Sequence, residues 1–338
     1  MTAYAGIDLH SNNIFLGVID SDNKKLFSKR LANNLSIIKK ALQPFKKALA
    51  GIVVESTFNW YWLVDGLMEA GYKTHLANPA AIKQYEGIKH TDDKSDAFWL
   101  AQMLMLGILP EGYIYPKDER PTRDLLRRRM LYVRQRTAHV LSLKSMARRS
   151  LGETISTNRI KQLKPEDAES IFDHEHLKMA GSHALATIHF LSSQIKSIEK
   201  EVMKHAKIKP EFTSLLTMPG IGNILGLTIM LEVGDIRRFP RAGNYASYCR
   251  CVKSEKLSNE KKKGAGNRKN GNKYLSWAYV EAANFAIRYH SKPKSFYDRK
   301  VSRTNNTVAR KALANKMARA SFYIMRDQVA YDENKMFD

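Results

Sequence analysis

The sequence predicts an α/β domain at the N-terminus, then a long helical connector, then a mainly α-helical C-terminal domain. Three observations carry this. Short β-branched runs alternate with helix-length segments in the order βββαβαβα over residues 1–118. After Pro121, apolar residues recur at alternating spacings of four and three. Beyond residue 208, apolar helical segments are punctuated by glycine and proline turns. The expected domains are 1–118, 119–208 and 209–338.

Tyr4 to Leu9 and Ile14 to Ile19 read as a hairpin turned at Ser11-Asn12-Asn13, and Lys25 to Leu31 adds a third strand to make a meander. Leu35 to Leu49 has helical spacing through Leu35, Ile38, Leu42, Phe45 and Leu49. Gly51 to Glu55 is a short buried strand, followed by a helix from about Trp60 to Ala70 and a strand at Thr74 to Ala77. Pro79 opens a helical turn. Asp93 to Leu106 is a helix with Ala97, Leu100, Ala101 and Leu104 on one face. A meander followed by βα units implies a mixed sheet.

Asp8 is a lone carboxylate in an otherwise apolar strand. An ionised Asp in a half-buried strand is costly unless a cation offsets its desolvation. The alternative is that it hydrogen-bonds the turn that follows. Glu55 also ends a strand of this domain, and Asp93 and Asp96 stand on neighbouring positions in the first turn of the last helix. Carboxylates there also suit the helix dipole, and Asp92-Asp93 can serve as a cap. Four carboxylates at one sheet edge would hold two Mg²⁺ ions, with Mn²⁺ as the substitute, and those ions keep waters that a phosphodiester can displace.

In the middle, Leu126, Met130, Val133, Thr137, Val140, Lys144, Ala147 and Leu151 form a heptad stripe among seven arginines from Arg127 to Arg149. A second stripe runs through Leu185, Ile188, Ser192, Ile195, Glu199 and Val202. The pair reads as an antiparallel helical hairpin or an intermolecular coiled coil. Asp173-His-Glu-His176 lacks the spacing of a helical zinc motif and reads as a solvated loop. Pro219-Gly-Ile-Gly222 between two helices is a helix-hairpin-helix signature. Gly220 and Gly222 would expose backbone N–H groups to a phosphate, or else would simply let two helices pack closely. Cys249 to Lys273 reads as a mobile basic loop carrying Arg250, Lys261, Lys262, Lys263, Arg268, Lys269 and Lys273 toward a phosphate backbone. The last long helix runs from about Thr307 to Gln328, with Arg310 and Lys311 exposed.

The composition is that of a folded protein: 338 residues, 43% hydrophobic and 26% charged. The 56 Lys and Arg against 33 Asp and Glu leave a net charge of +23, which implies a polyanionic partner and favours nucleic acid. Two cysteines in Cys249-Arg-Cys251 spacing exclude a disulfide framework and a four-ligand zinc site, which fits a reducing cytoplasm. No signal peptide is read at the N-terminus, and the longest apolar run, Ile224 to Leu231, is far short of a membrane span.

Gly6-Ile-Asp8-Leu-His10, Val53-Val-Glu55-Ser56 and Thr91-Asp-Asp93-Lys-Ser-Asp96-Ala97 with Leu100-Ala101 together resemble the DEDD, RuvC-like domain of IS110/IS1111 family transposases. Pro219-Gly-Ile-Gly222 with Gly234-Asp235 and Arg238-Phe239, Gly271-Asn272-Lys-Tyr-Leu275 with Ala282-Ala283, and Ala309-Arg310-Lys311 resemble the family's second conserved domain. The resemblance implies an RNase H-like fold whose Asp8, Glu55, Asp93 and Asp96 bind metal. It also implies a nucleophilic serine in the basic loop, at Ser258 with Ser254 as the other choice. Its activity would be DNA strand cleavage and rejoining, guided by a structured RNA, in a homo-oligomer (dimer or tetramer) that brings sites from different subunits together. The alternatives are a RuvC-like structure-selective DNA nuclease and a non-catalytic nucleic-acid-binding protein.

Overall fold

A computed structural model describes residues 1–82, 92–206, 208–253, 256–258, 261–264 and 270–337. Thr91, Ser254, Arg268 and Lys269 lie outside the described residues. The chain forms two compact units, Met1–Lys117 and a second built from Asp118–Gly264 and Gly271–Asp338.

The first unit is a five-stranded mixed sheet in the order β3-β2-β1-β4-β5: β1 Ala3–Leu9, β2 Asn13–Asp20, β3 Lys25–Ala32, β4 Leu49–Glu55 and β5 Thr74–Ala77. The β1–β2 and β2–β3 pairs are antiparallel, and the β1–β4 and β4–β5 pairs are parallel. Three helices accompany it: α1 Leu35–Leu42, α2 Tyr61–Glu69 and α3 Asp93–Met105. The expected helix to Leu49 stops at Leu42. Pro44, which has no N–H to give an α-helix, instead opens a short 3-10 turn at Gln43–Phe45.

The two-residue period of β1 sorts its side chains between two layers. Ala3, Ala5, Ile7 and Leu9 join the core against α1 and α2, with Ile38, Leu42, Leu63, Val64 and Leu67. Gly6 and Asp8 point the other way, toward α3. A Cβ on Gly6 would overlap the carbonyl oxygen of Ala97 and lie 2.8 Å from the amide nitrogen of Ala101, so a side-chain-free residue is what lets α3 lie against β1. Gly6→Ala is therefore expected to push α3 off the sheet and cost about 1–3 kcal/mol. Urea denaturation would measure the loss, and unchanged stability would mean that α3 is not held by this contact.

The second unit is mainly helical. Its long helices α4 Arg120–Leu151 and α7 Glu175–His205 form an antiparallel hairpin, with α5 Thr157–Gln162 and α6 Ala168–Ile171 filling its tip. The seam differs from the expected stripes. Leu143, Leu191 and Ile198 are buried in place of Lys144, Ser192 and Glu199, and Thr137 is exposed. An untwisted α-helix has 3.6 residues per turn, so its buried face drifts off a strict heptad. Two of the polar stripe positions face arginines: Arg129 Nη2 lies 2.6 Å from Glu199 Oε1, and Arg136 Nη1 donates to Ser192 Oγ at 3.2 Å. Asp173 to His176 are exposed, and His174 caps α7.

There follow α8 Pro210–Leu216, α9 Asn223–Val233, α10 Ala242–Tyr248, the strands β6 Lys256–Ser258 and β7 Lys261–Gly264, then α11 Lys273–Tyr289, α12 Ser291–Val301, α13 Asn306–Asp327 and α14 Glu333–Phe337. Their core gathers Leu215, Ile229, Tyr245, Leu275, Tyr279, Leu313 and Phe322. Where a mobile loop is expected, β6 and β7 pair antiparallel, with Ser258 opposite Lys261. Arg310 is half-buried rather than exposed, because it stands next to the buried Ala309 on α13. Among the described residues no helix is long and apolar enough to cross a membrane.

Candidate metal centre

Register builds this site. The parallel β1–β4 ladder pairs Ile7 with Val54, and one step further along stand Asp8 and Glu55. On β4, Val53 packs beneath α3 with Leu100 and Met103, whereas Ile52 and Val54 join the opposite core. Glu55, two residues after Val53, therefore shares with Asp8 the face that α3 covers. Asp92 N-caps α3, its Oδ1 accepting from Ser95 N at 2.7 Å. That leaves Asp93 and Asp96 in the first turn free of the cap role.

Asp8 is buried, and its carboxyl hydrogen-bonds Glu55. Burial, the contact with Asp8 and the nearby charge of Asp96 push the Glu55 carboxyl up to about 8. At neutral pH the Glu55 carboxyl therefore keeps its proton, because burial and the neighbouring carboxyls disfavour its charged form. Asp93 behaves differently. Burial raises its carboxyl, but a hydrogen bond from Arg30 and the charges of His10 and Arg30 outweigh burial and hold it below its usual value. Arg30 Nη2 donates to Asp93 Oδ2 at 2.6 Å. His10 Nε2 lies 3.2 Å from Asp8 Oδ2 and 3.2 Å from Asp93 Oδ2.

All four expected acidic residues thus meet at one end of the sheet. His10 and Arg30 join them, although sequence reasoning gave them no role. Asp8, Phe15 and Arg30 form one row across three antiparallel strands, so Arg30 faces the same side as Asp8. Pair register of this kind is not visible in the sequence. His10 had a signal, since it follows Asp8 by two residues. The donor set suits hard divalent cations: carboxylate oxygens dominate, and the proton held at Glu55 is one that a cation would displace.

The nucleic-acid residues expected in the second unit are dispersed. Gly220 has φ +80° and lies against the backbone of α11 at Ala282 and Ala286, so it serves close packing. Gly222, which precedes α9, faces open space. Arg250 Nε donates to the Gly271 carbonyl at 3.1 Å, across the base of the β6–β7 segment. Lys261, Lys262 and Lys263 lie on β7, with Lys261 and Lys263 exposed, and Lys273 opens α11. Ser258 ends β6. The cysteines are poor nucleophiles, since burial pushes the Cys251 thiol up to about 12 and raises Cys249 as well.

Comparison with known proteins places this geometry in a family. A DEDD transposase model of IS110 elements, described as "Transposase", matches residues 5–150, and a second, described as "Transposase IS116/IS110/IS902 family", matches residues 213–298. The chain belongs to the IS110 family of transposases. Among its relatives within insertion elements, the transposase of IS1111A from Coxiella burnetii is 22% identical over 340 residues, covering 96% of this chain and 90% of that protein. The IS110 uncharacterized 43.6 kDa protein of Streptomyces coelicolor is 24% identical over 202 residues, covering 56% of this chain and 50% of that protein. The transposase of IS1328 from Yersinia enterocolitica is 27% identical over 139 residues, covering 40% and 42%. The matched segments thus span about half of the Streptomyces and Yersinia relatives and nearly all of the Coxiella one. The first family match contains all four acidic residues of the centre.

Proposed function

We propose that the chain is a DNA transposase that cuts and rejoins DNA phosphodiesters, with a RuvC-like first unit and a serine nucleophile, directed by a structured RNA. The observation that carries this reading is the meeting of Asp8, Glu55, Asp93 and Asp96 under the first turn of α3. The sheet order, with three antiparallel strands followed by parallel ones, supports the RuvC-like fold. Divalent ions, two Mg²⁺ in this reading, would supply positive charge to the scissile phosphate. Asp8 and Glu55 would hold them from the sheet side and Asp93 and Asp96 from the helix side. Once Glu55 has lost its proton, its carboxylate faces the same volume.

Ser258 provides the covalent step. Its hydroxyl gives up its proton as the oxygen bonds to phosphorus, the bond from phosphorus to one DNA oxygen breaks, and that oxygen takes up a proton as the leaving strand departs as a free hydroxyl. Rejoining reverses this with the hydroxyl of another strand, and the serine leaves with its proton restored. Conserving the phosphoester is what separates recombination from hydrolysis. The exposed Lys261 and Lys263 on the paired strand suit a phosphate backbone, as does the open side of Gly222 before α9 in a helix-hairpin-helix arrangement. A net charge of +23 accommodates RNA as well as DNA. The hairpin of α4 and α7 is the candidate element for joining protomers.

The test combines purified protein, RNA from the flank of its element, donor and target DNA and Mg²⁺. The expected product is a protein–DNA adduct that survives denaturation and is lost in Ser258→Ala. Cleaved DNA without an adduct, unchanged in Ser258→Ala, would instead indicate a structure-selective nuclease. No change in DNA under any condition would indicate a binding protein.

A further inference from the structure

We infer that the His10 imidazole is a nitrogen ligand of the divalent ion at this centre, which tilts its selectivity from Mg²⁺ toward transition-metal ions such as Mn²⁺. The inference rests on the metal-centre reading above and adds a donor that an all-carboxylate site lacks.

The backbone that carries the ring is well anchored. Residue 10 lies just beyond β1, and its backbone is held from three directions. Its N–H donates to Asn13 O at 2.9 Å, and its carbonyl accepts from Asn33 Nδ2 at 3.1 Å and from Asn59 Nδ2 at 3.0 Å. These bonds come from the β1–β2 turn, from the segment after β3 and from the segment after β4, the strand that ends in Glu55.

From that anchor Nε2 reaches a point 3.2 Å from one oxygen of Asp8 and 3.2 Å from one oxygen of Asp93. The atom itself is shielded from solvent and stands at equal distance from the two carboxylates. It points between them. The three donor atoms all lie within 4.8 Å of one another. Adjacent donors on a six-coordinate ion with bonds of about 2.1 Å stand roughly 3 Å apart, which is the spacing His10 keeps from each oxygen. Three donors converging within reach of one ion is the arrangement of a ligand set, with Arg30 at 2.6 Å as the charge partner of Asp93.

Donor chemistry then sets the preference. Mg²⁺ takes oxygen ligands and keeps its waters, whereas imidazole nitrogen favours transition-metal ions. Removing even an outer-shell partner of a metal ligand costs about 10-fold in affinity, so loss of a nitrogen ligand should cost Mn²⁺ at least that much. Mg²⁺ should lose less.

The test uses chelator-treated full-length protein with Mn²⁺ alone as the probe, read by pulsed electron paramagnetic resonance. Wild type is expected to show coupling of the manganese spin to a nitrogen nucleus. His10→Ala and His10→Gln are expected to lose it, to bind Mn²⁺ at least about 10-fold more weakly, and to unfold at the wild-type temperature without metal. Bound Mn²⁺ that depends on Asp8 but shows no nitrogen coupling would overturn the role of His10 and leave the acidic centre standing. Coupling that persists in His10→Ala would assign it to another histidine and overturn the role equally. Absence of any Asp8-dependent Mn²⁺ binding would overturn both readings.

Discussion

Asp8→Asn is expected to abolish Mg²⁺-dependent cleavage and adduct formation, with a loss of at least about 10²–10³-fold, while the protein stays folded. The large effect follows from the position of Asp8. It is the buried carboxylate that contacts Glu55 on one side and lies within 3.2 Å of His10 on the other, so it links the sheet and helix halves of the centre. The small effect on folding follows from its surroundings. In the metal-free protein Asp8 stands among like charges, and replacing it with a neutral amide relieves repulsion. Glu55 makes the argument testable by pH. Its folded-state value, about 8, lies above its ordinary one, so the stability linked to its protonated form is complete below about 4.5 and is lost as pH rises through about 8. Metal-free wild type should therefore become less stable across that window. The fall should be shallower in Asp8→Asn, where burial alone still raises Glu55. Mg²⁺ competes with the same proton, so the rise in unfolding temperature on adding Mg²⁺ should grow from pH 6 to about 8 and then level off. An Mg²⁺ shift that is equal at pH 6 and pH 9, or full cleavage by Asp8→Asn, would remove these carboxyls from the active centre.

Much of the first unit was readable because its signals are local. β-branched runs marked the strands, and strand-end carboxylates marked the site. The helix expected to reach Leu49 was overrun because apolar spacing continues through Phe45, while Pro44 cannot supply the N–H that a helix needs. Arg30 was left without a role because it becomes a neighbour of the acidic residues only through β1–β2 and β2–β3 register, whereas His10, two residues after Asp8, was in view but unassigned. The β6–β7 pair escaped for another reason. Its strands are built largely from lysines and lack the apolar alternation that betrays a half-buried strand. The hairpin stripes misplaced Lys144, Ser192 and Glu199 because a 4-3 count cannot tell a buried leucine from the polar residue beside it when the helix drifts.

Glu232→Ala is expected to destabilise the second unit by about 3–5 kcal/mol, the largest stability loss among the single changes considered. Glu232 sits inside the apolar helix α9 and is 2% exposed. Arg123 Nε lies 3.2 Å from its Oε2, Arg127 donates to both oxygens at 2.5 and 2.8 Å, and Asn272 Nδ2 donates at 2.7 Å. Truncation would remove the Glu232 carboxylate from two arginines of α4, one of them buried, and that costs far more than the pair contributes over an apolar substitute. The double change Glu232→Ala with Arg123→Ala should therefore cost less than the sum of the singles in urea denaturation. Acid provides an independent reading. Burial raises the Glu232 carboxyl, but the bond from Arg127, the charges of both arginines and Asn272 together hold it below its usual value. A lowered carboxyl contributes stability above its unfolded value and loses it as pH falls, so wild type should weaken below about 4.5 and Glu232→Gln should flatten that limb. The network also reaches toward the proposed chemistry. The Asn272 side chain caps α11, its Oδ1 accepting from Tyr274 N at 2.8 Å and Leu275 N at 3.1 Å, and its backbone N–H donates to Tyr248 O at 2.6 Å where the basic segment leaves α10. Glu232 thus ties α4 to the base of the segment that carries Ser258. A conservative Glu232→Gln protein that remains folded at neutral pH should lose adduct yield while Mg²⁺ binding at the acidic centre is unchanged. Full adduct yield in that variant would confine Glu232 to stability.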